Sequence, residues 1–209
     1  MEMALRDIRN AIRTGKLKPG DCIVETRLAE EMNISRLPIR EALRYLEKEG
    51  LVCSSSFKGT YVSEFGRGDL IELYQLRSAI EELSVRLVIK DLNADKIAVF
   101  DAIIAAMEVA SQADDIASVI EADLRFHRTL CDFSGNQRLM SVWITLEEQL
   151  RSFLSIERGL WGREAQQYPR THYPIIDAIK SRNSSFAEKV VREHLQSGID
   201  RIENGFLKK

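Results

Sequence analysis

Apolar residues recur at the three- and four-residue spacing of amphipathic helices along most of the chain. Over residues 68–206 no strand-like alternation interrupts this spacing, which predicts six helices. Their expected bounds are 69–91, 94–112, 115–134, 136–159, 164–181 and 184–206, with Asp69, Asn93, Asp114, Asn136 and either Asn183 or Ser184 as N-caps. Consecutive helices of this kind favour an antiparallel bundle.

Residues 1–63 follow a different pattern, in which glycine and proline separate short helices. Leu5, Ile8 and Ile12 share one face of a first helix. Thr26 is predicted to cap a second helix, and Ser35 a third. A short turn separates the second helix from the third, as in a helix-turn-helix.

The segments LVCSS and TYVSE then alternate like two strands around a turn at Lys58 and Gly59, which predicts a two-stranded wing. The predicted fold class is therefore mainly α. We expect a winged helix-turn-helix domain over residues 1–65, a linker over 66–68 and an antiparallel all-α bundle of about six helices over 69–209.

Composition narrows the function classes without naming one. The 209 residues carry a net charge of −2 with a pI near 6.0, so any binding to DNA must come from a local basic patch. The apolar run AIIAAMEVA is too short to span a bilayer, and the N-terminus does not look like a signal peptide, so we expect a cytoplasmic protein. Cys22, Cys53 and Cys131 lack CxxC spacing and suit reduced thiols.

Arg36, Arg40 and Arg44 recur every four residues on the predicted third helix and share one face. Such a row is often an ordinary solvated surface. Here, however, the helix follows the tight turn of a helix-turn-helix, which is the position that enters the major groove of DNA. The pattern therefore predicts a DNA-reading helix.

The three histidines of the chain all fall on apolar stripes of predicted helices. His127 lies one turn after Asp123, and His172 and His194 lie among aliphatic residues further along. One such histidine is more often a satisfied core residue than a ligand, but three of them with an aspartate suit a divalent ion such as Zn²⁺, Ni²⁺ or Mn²⁺.

Arg77 shares an apolar stripe of the helix predicted over 69–91, with Glu81 one turn later. Two interpretations remain open for this pair. The first is a simple helix ion pair, and the second is a clamp in which the guanidinium holds the carboxylate of an organic acid. Arg151 is a further candidate for contact with that acid.

The stretches GKLKPGD, LAEEMNISRLPIREALRYLEKEGLV and FKGTYV resemble the winged helix-turn-helix of GntR-family transcription regulators. The resemblance implies that Ser35, Arg36, Arg40 and the wing tip at Lys58 and Gly59 contact operator DNA.

The C-terminal pattern of Asp123, His127 and two later histidines resembles the FCD effector domain of the FadR-like branch, in its smaller VanR-type form. This resemblance implies that Asp123, His127, His172 and His194 hold one divalent ion, that a small carboxylate binds it, and that Arg77 faces the effector cavity.

We therefore predict a homodimeric, ligand-responsive repressor that binds a palindromic operator and is not an enzyme. Two alternatives are a metal-dependent hydrolase with a DNA-binding head, for which Glu81 would be the candidate base, and a bundle whose metal is purely structural and which only dimerises the DNA-binding domains. Binding of carboxylates to the site would separate the structural alternative from the effector hypothesis.

Overall fold

The computed structural model describes residues 1–55, 59–64, 66–156 and 167–206. It is built mainly of α-helices, which confirms the predicted fold class. Its contacts divide the chain into two compact units. The N-terminal unit comprises Met1–Gly66 together with Glu148–Ile156, and the C-terminal unit comprises Arg67–Glu147 together with the described residues from 167 onward.

Three helices build the core of the N-terminal unit: α1 (Glu2–Arg13), α2 (Glu25–Glu31) and α3 (Arg36–Lys48). Their apolar faces are buried against one another through Ala4, Ile8, Ile12, Ala29, Ile39, Ala42, Leu43 and Leu46. Helix α2 begins at Glu25, so Thr26 lies in its first turn and does not cap it as predicted. In the turn before α3, Asn33 adopts a left-handed φ of 51°.

The wing contains three antiparallel strands, β1 (Cys22–Ile23), β2 (Val52–Ser55) and β3 (Gly59–Val62), in the order β1-β3-β2. The sequence pattern predicts β2 and β3 but misses β1, because a two-residue strand is too short to show alternation. Ile23, Val52 and Val62 are buried, so one face of the sheet closes the core of this unit.

Among the residues that the structure describes, the C-terminal unit consists of helices joined by short turns. Its α-helices are α4 (Arg67–Lys90), α5 (Ala94–Gln112), α6 (Ile116–Phe133), α7 (Gln137–Ile156, of which the last nine residues group with the N-terminal unit), α8 (Tyr173–Lys180) and α9 (Ser184–Phe206). Asn93, Asn136 and Asn183 cap their helices with side-chain hydrogen bonds, as predicted. The cap of α6 is Asp115, because Asp114 takes a left-handed φ of 55°.

Two predicted boundaries are wrong. Helix α4 spans Arg67–Lys90, whereas the sequence pattern predicts a helix over 69–91 that begins with Asp69 as its cap. The helix predicted over 164–181 is a 3-10 helix over Tyr168–His172 followed by α8, and residues 157–166 lie outside the described residues. Pro169 and Pro174 explain the break, since each lacks an N–H for an α-helical hydrogen bond.

In the part of the chain that the structure describes, no helix is both long enough and apolar enough to cross a membrane.

Close packing between α4 and α9 depends on Gly198. A Cβ added at this position would overlap the ring carbon Cε1 of the buried Tyr74. We therefore expect Gly198→Ala to lower the free energy of unfolding by roughly 1–3 kcal/mol, despite the better helix propensity of alanine. Urea unfolding of the variant and the wild type measures this. Gly68→Ala is the matched control, because no atom of the described residues lies within 4 Å of a Cβ there, and an equal loss in both variants would contradict the packing argument.

Candidate metal centre and nucleic-acid interface

Helix α6 turns two polar side chains into the core of the C-terminal unit. Asp123 and His127 are both 0% exposed, and they lie on the same buried face as Val119, Ile120 and Leu130. The Oδ1 atom of Asp123 is 3.4 Å from Nε2 of His127. The four-residue spacing thus brings a carboxylate and an imidazole to one point, as the sequence predicts.

Two more histidines reach this point from other elements. His172 ends the 3-10 helix and His194 lies in α9, and both are buried. Their ring centroids are 4.6 Å apart, and the ring of His194 is 5.2 Å from that of His127. One potential ligand atom from each of these residues lies within 4.8 Å of the others, so Asp123, His127, His172 and His194 form one buried cluster.

The hydrogen bonds of this cluster leave several ligand atoms free. Asp123 Oδ1 accepts from the Tyr168 hydroxyl at 2.7 Å and lies 3.0 Å from His172 Nε2. Asp123 Oδ2, His127 Nε2 and His194 Nδ1 are buried and have no hydrogen-bond partner among the residues that the structure describes. Unpaired buried polar atoms are costly, and a divalent ion would satisfy all three at once, so the residues present fit such an ion.

The protonation states of the cluster are set by burial and by its neighbours. Burial lowers the pKa of His172 and takes that of His194 well below its ordinary value. Burial also disfavours the charged form of His127, but the carboxylates of Glu81 and Asp123 together outweigh it and raise the pKa of His127. Burial opposes the ionised form of Asp123, yet His127 and His172 hold its pKa well below the ordinary value. An ion that binds His127 Nε2 would therefore displace a proton.

The buried carboxylate of Glu81 contacts both His127 and Arg77, on the side of the imidazole that faces away from the cluster. Glu81 Oε2 lies 2.5 Å from His127 Nδ1, and Glu81 Oε1 accepts a hydrogen bond from Arg77 Nε at 2.8 Å. Burial raises the pKa of Glu81, but the charges of His127 and Arg77 reverse this effect and lower it. A carboxylate that holds the second nitrogen of an imidazole fixes its orientation, which is the usual arrangement behind a metal-bound histidine.

The guanidinium of Arg77 is buried as well, so the pair is not an ordinary surface ion pair. Its Nη2 atom has no hydrogen-bond partner in the described part of the chain. Arg151, the other arginine considered for effector contact, lies on the last part of α7 within the N-terminal unit, where its Nε is 4.0 Å from Glu148 Oε1.

In the N-terminal unit, α3 presents its arginines to solvent. Arg36, Arg40 and Arg44 are exposed, and Ser35 is the N-cap without a side-chain hydrogen bond to the helix. Gly59 begins β3 with a left-handed φ of 86°, and Lys58 lies outside the described residues.

One residue that the sequence analysis misses organises these arginines. Glu25, at the start of α2, accepts hydrogen bonds from Arg36 Nη2 at 3.1 Å and from Arg40 Nη2 at 3.0 Å and Nε at 3.2 Å. The hydrogen bond from Arg40 is the largest cause of the lowered pKa of Glu25. The carboxylate therefore holds two guanidinium groups side by side on the surface.

Comparison with known families supports both units. Residues 1–62 match the family of bacterial regulatory proteins of the gntR type, and residues 72–197 match the FCD domain. The chain belongs to the GntR family and carries an FCD domain. GntR-family regulators bind operator DNA, so this chain is a transcription regulator and not an enzyme.

Relatives of this GntR-family regulator are themselves regulators. The uncharacterised HTH-type transcriptional regulator YdhC of Bacillus subtilis is 28% identical over 94% of this chain and 88% of its own length. The HTH-type transcriptional repressor NanR of Salmonella newport is 27% identical over 94% of this chain and 82% of its own. Escherichia coli McbR/YncC shares the fold, with a TM-score of 0.78 and 20% identity over 98% of this chain and 97% of that one.

Within the FCD domain the structure adds two residues that the sequence analysis misses. Tyr168 precedes a proline in an irregular segment, so no periodic pattern points to its contact with Asp123. Trp143 on α7 is fully buried, and its ring centroid is 6.3 Å from that of His127. A buried tryptophan in a bundle usually indicates core packing, and the position of its N–H cannot be read from the sequence.

Proposed function

We propose that this regulator is a repressor whose FCD domain binds one divalent metal ion and a small carboxylate effector, which changes the affinity of the protein for operator DNA. The observation that carries the proposal is the cluster of four buried ligand atoms within 4.8 Å of one another, in a chain whose N-terminal part is a GntR-type DNA-binding head.

Asp123, His127, His172 and His194 would hold the ion. Three imidazoles and one carboxylate are nitrogen and oxygen donors that suit Zn²⁺, Ni²⁺ or Mn²⁺, and Zn²⁺ is our first choice because these are its usual ligands and it can expand to five-coordinate to admit an anion. When bound, the ion would supply positive charge for an anion. Arg77 and Glu81 are the proposed effector residues of this domain, whereas the ion pair of Arg151 with Glu148 gives less support to its proposed role.

For the DNA side, we propose that residues 1–65 form the reading head, that 66–68 link it to an effector and dimerisation domain over 69–209, and that a homodimer places two heads on a palindromic operator. The proposed contacts with DNA are Ser35, Arg36, Arg40, Arg44, Lys58 and Gly59.

Repression is the proposed direction of control, since relatives such as NanR carry the name of repressors. Effector binding can change operator affinity only if the effector has different affinities for the DNA-competent and DNA-incompetent states. We expect a carboxylate to favour the incompetent state and thus to release the DNA.

A mobility-shift titration tests this function. The metal-loaded protein is mixed with the DNA upstream of its own gene, without and with small carboxylates. We expect a retarded complex that a carboxylate weakens. If DNA is retarded but no carboxylate changes either retardation or thermal stability, the metal is structural and the effector proposal is wrong. If no DNA is retarded, the regulatory proposal as a whole fails.

Glu25→Gln tests the arrangement of the reading helix. Loss of the carboxylate frees Arg36 and Arg40 for phosphates, so affinity for random-sequence DNA should rise, and the slope of log K against log salt should steepen by about one. The preference for operator over random DNA should fall. Filter binding at several salt concentrations measures both quantities. Glu31→Gln is the control, because it also removes a negative charge from α2, but the partner of Glu31 is Arg27 and not an arginine of α3.

A further inference from the structure

Trp143 carries a buried polar group that neither the fold nor the metal cluster uses. Its side chain is 0% exposed, and its Nε1–H finds no hydrogen-bond acceptor within residues 1–55, 59–64, 66–156 and 167–206. An indole nitrogen can only donate, and buried tryptophans normally find an acceptor. The polar end of this side chain is therefore not accounted for by packing.

A second unused donor lies beside it. The Cζ atom of Arg77 is 5.3 Å from the centroid of the Trp143 ring, and Nη2 of Arg77 is also buried, with no hydrogen-bond partner among the described residues. The nearby carboxylate of Glu81 does not satisfy Nη2: its Oε1 accepts from Arg77 Nε, its Oε2 contacts His127 Nδ1, and Nη2 makes no hydrogen bond to either oxygen. Two N–H donors therefore share one buried region that has a shortage of acceptors.

The charges of this region call for an anion. With a divalent ion held by Asp123 and the histidines, the ion and Arg77 outweigh the carboxylates of Glu81 and Asp123 by one positive charge. A single carboxylate would remove this excess, and its two oxygens offer acceptors for both donors. A dicarboxylate would instead leave an excess negative charge in a buried site, which is costly.

We propose that Trp143 Nε1–H and Arg77 Nη2–H together bind the effector carboxylate, and that the effector is a small monocarboxylate. This inference rests on the proposed function. It adds Trp143 as a residue that recognises the effector, and it specifies that the effector carries a single negative charge. Trp143 thus acts in ligand binding as well as in packing. Its replacement should weaken the binding of the effector and leave the four metal ligands in place.

Acetate is the probe, and succinate is the comparator. Isothermal titration of the zinc-loaded protein should show acetate binding that Trp143→Phe weakens roughly 10- to 100-fold, the usual effect of losing a hydrogen bond to a charged group. Phenylalanine keeps an aromatic ring in place, and zinc content should stay unchanged. Ser84→Ala is the matched control, since this buried hydroxyl already donates to the Ile80 carbonyl at 2.8 Å, and acetate affinity should not change.

A second measurement does not depend on the folding of Trp143→Phe. The chain has two tryptophans, so Trp161→Phe leaves Trp143 as the single emitter. Acetate should shift its fluorescence with the same midpoint as the titration. Unchanged emission at saturating acetate, equal acetate affinity in Trp143→Phe, or tighter binding of succinate than of acetate would each overturn the inference while leaving the proposed function intact. If no carboxylate binds the zinc-loaded wild type, both fail.

Discussion

Replacing Asp123 by Asn, or His194 by Gln, is expected to reduce bound metal from about one divalent ion per chain to nearly none. Each change removes one of the four buried side chains that would hold the ion. The helices around the cluster are tightly packed, so they cannot shift to supply a replacement ligand. Asp123→Asn keeps an oxygen that can accept from Tyr168, so the contact at 2.7 Å can survive while the charge is lost.

Mass spectrometry of metal in untagged protein, purified without chelator, measures this result. Thermal unfolding gives an independent reading, because an ion present at a thousand times its Kd stabilises the folded state by about 4 kcal/mol. Chelator should therefore lower the Tm of the wild type and leave that of both variants unchanged.

Glu81→Gln is a control with an intermediate expected effect. It keeps all four proposed ligands but loses the carboxylate that contacts His127 Nδ1, so metal affinity should fall about 10- to 100-fold. A full complement of metal in Asp123→Asn would contradict the assignment.

Periodicity predicted which polar residues come together in the core of the C-terminal unit better than it predicted the helices that carry them. Asp123 and His127 follow from helical spacing, and His194 follows from the same rule on α9. His172 was predicted to lie in an α-helix, but it ends the 3-10 helix, and α8 begins at the next residue. Pro169 and Pro174 favour the 3-10 turn at this point. His172 nevertheless lies in the cluster. A buried face can thus be inferred even where the type of helix cannot.

Contacts between elements that are separated along the chain could not be predicted from the sequence. The two-residue strand β1 forms only because β3 offers a free edge to Cys22 and Ile23. The ion pairs of Glu25 with α3 join positions that are 11 and 15 residues apart across a turn. The spacing of Arg77 and Glu81 predicted their pairing, but their burial against His127 depends on how α4 and α6 pack. Local spacing carries no information about such contacts.

Arg40→Ala is expected to weaken operator binding by about 1–3 kcal/mol if the guanidinium reads a base edge. Arg36→Ala should have an effect of similar size. Both side chains are exposed on α3 and turned to one side by Glu25, so two adjacent donors are already arranged for a groove contact. The free energy of unfolding should change little, because neither side chain belongs to the buried core.

Fluorescence anisotropy with operator and random-sequence duplexes at matched salt distinguishes the two possible roles. A loss confined to the operator indicates a base contact, and an equal loss on both duplexes indicates a grip on phosphate. Arg27→Ala is the control for general charge, since Arg27 is exposed on α2 and pairs with Glu31. Because Arg36 and Arg40 share one carboxylate, their double variant should lose less affinity than the two single losses added together. Strict additivity would mean that Glu25 does not couple the two arginines in the DNA complex.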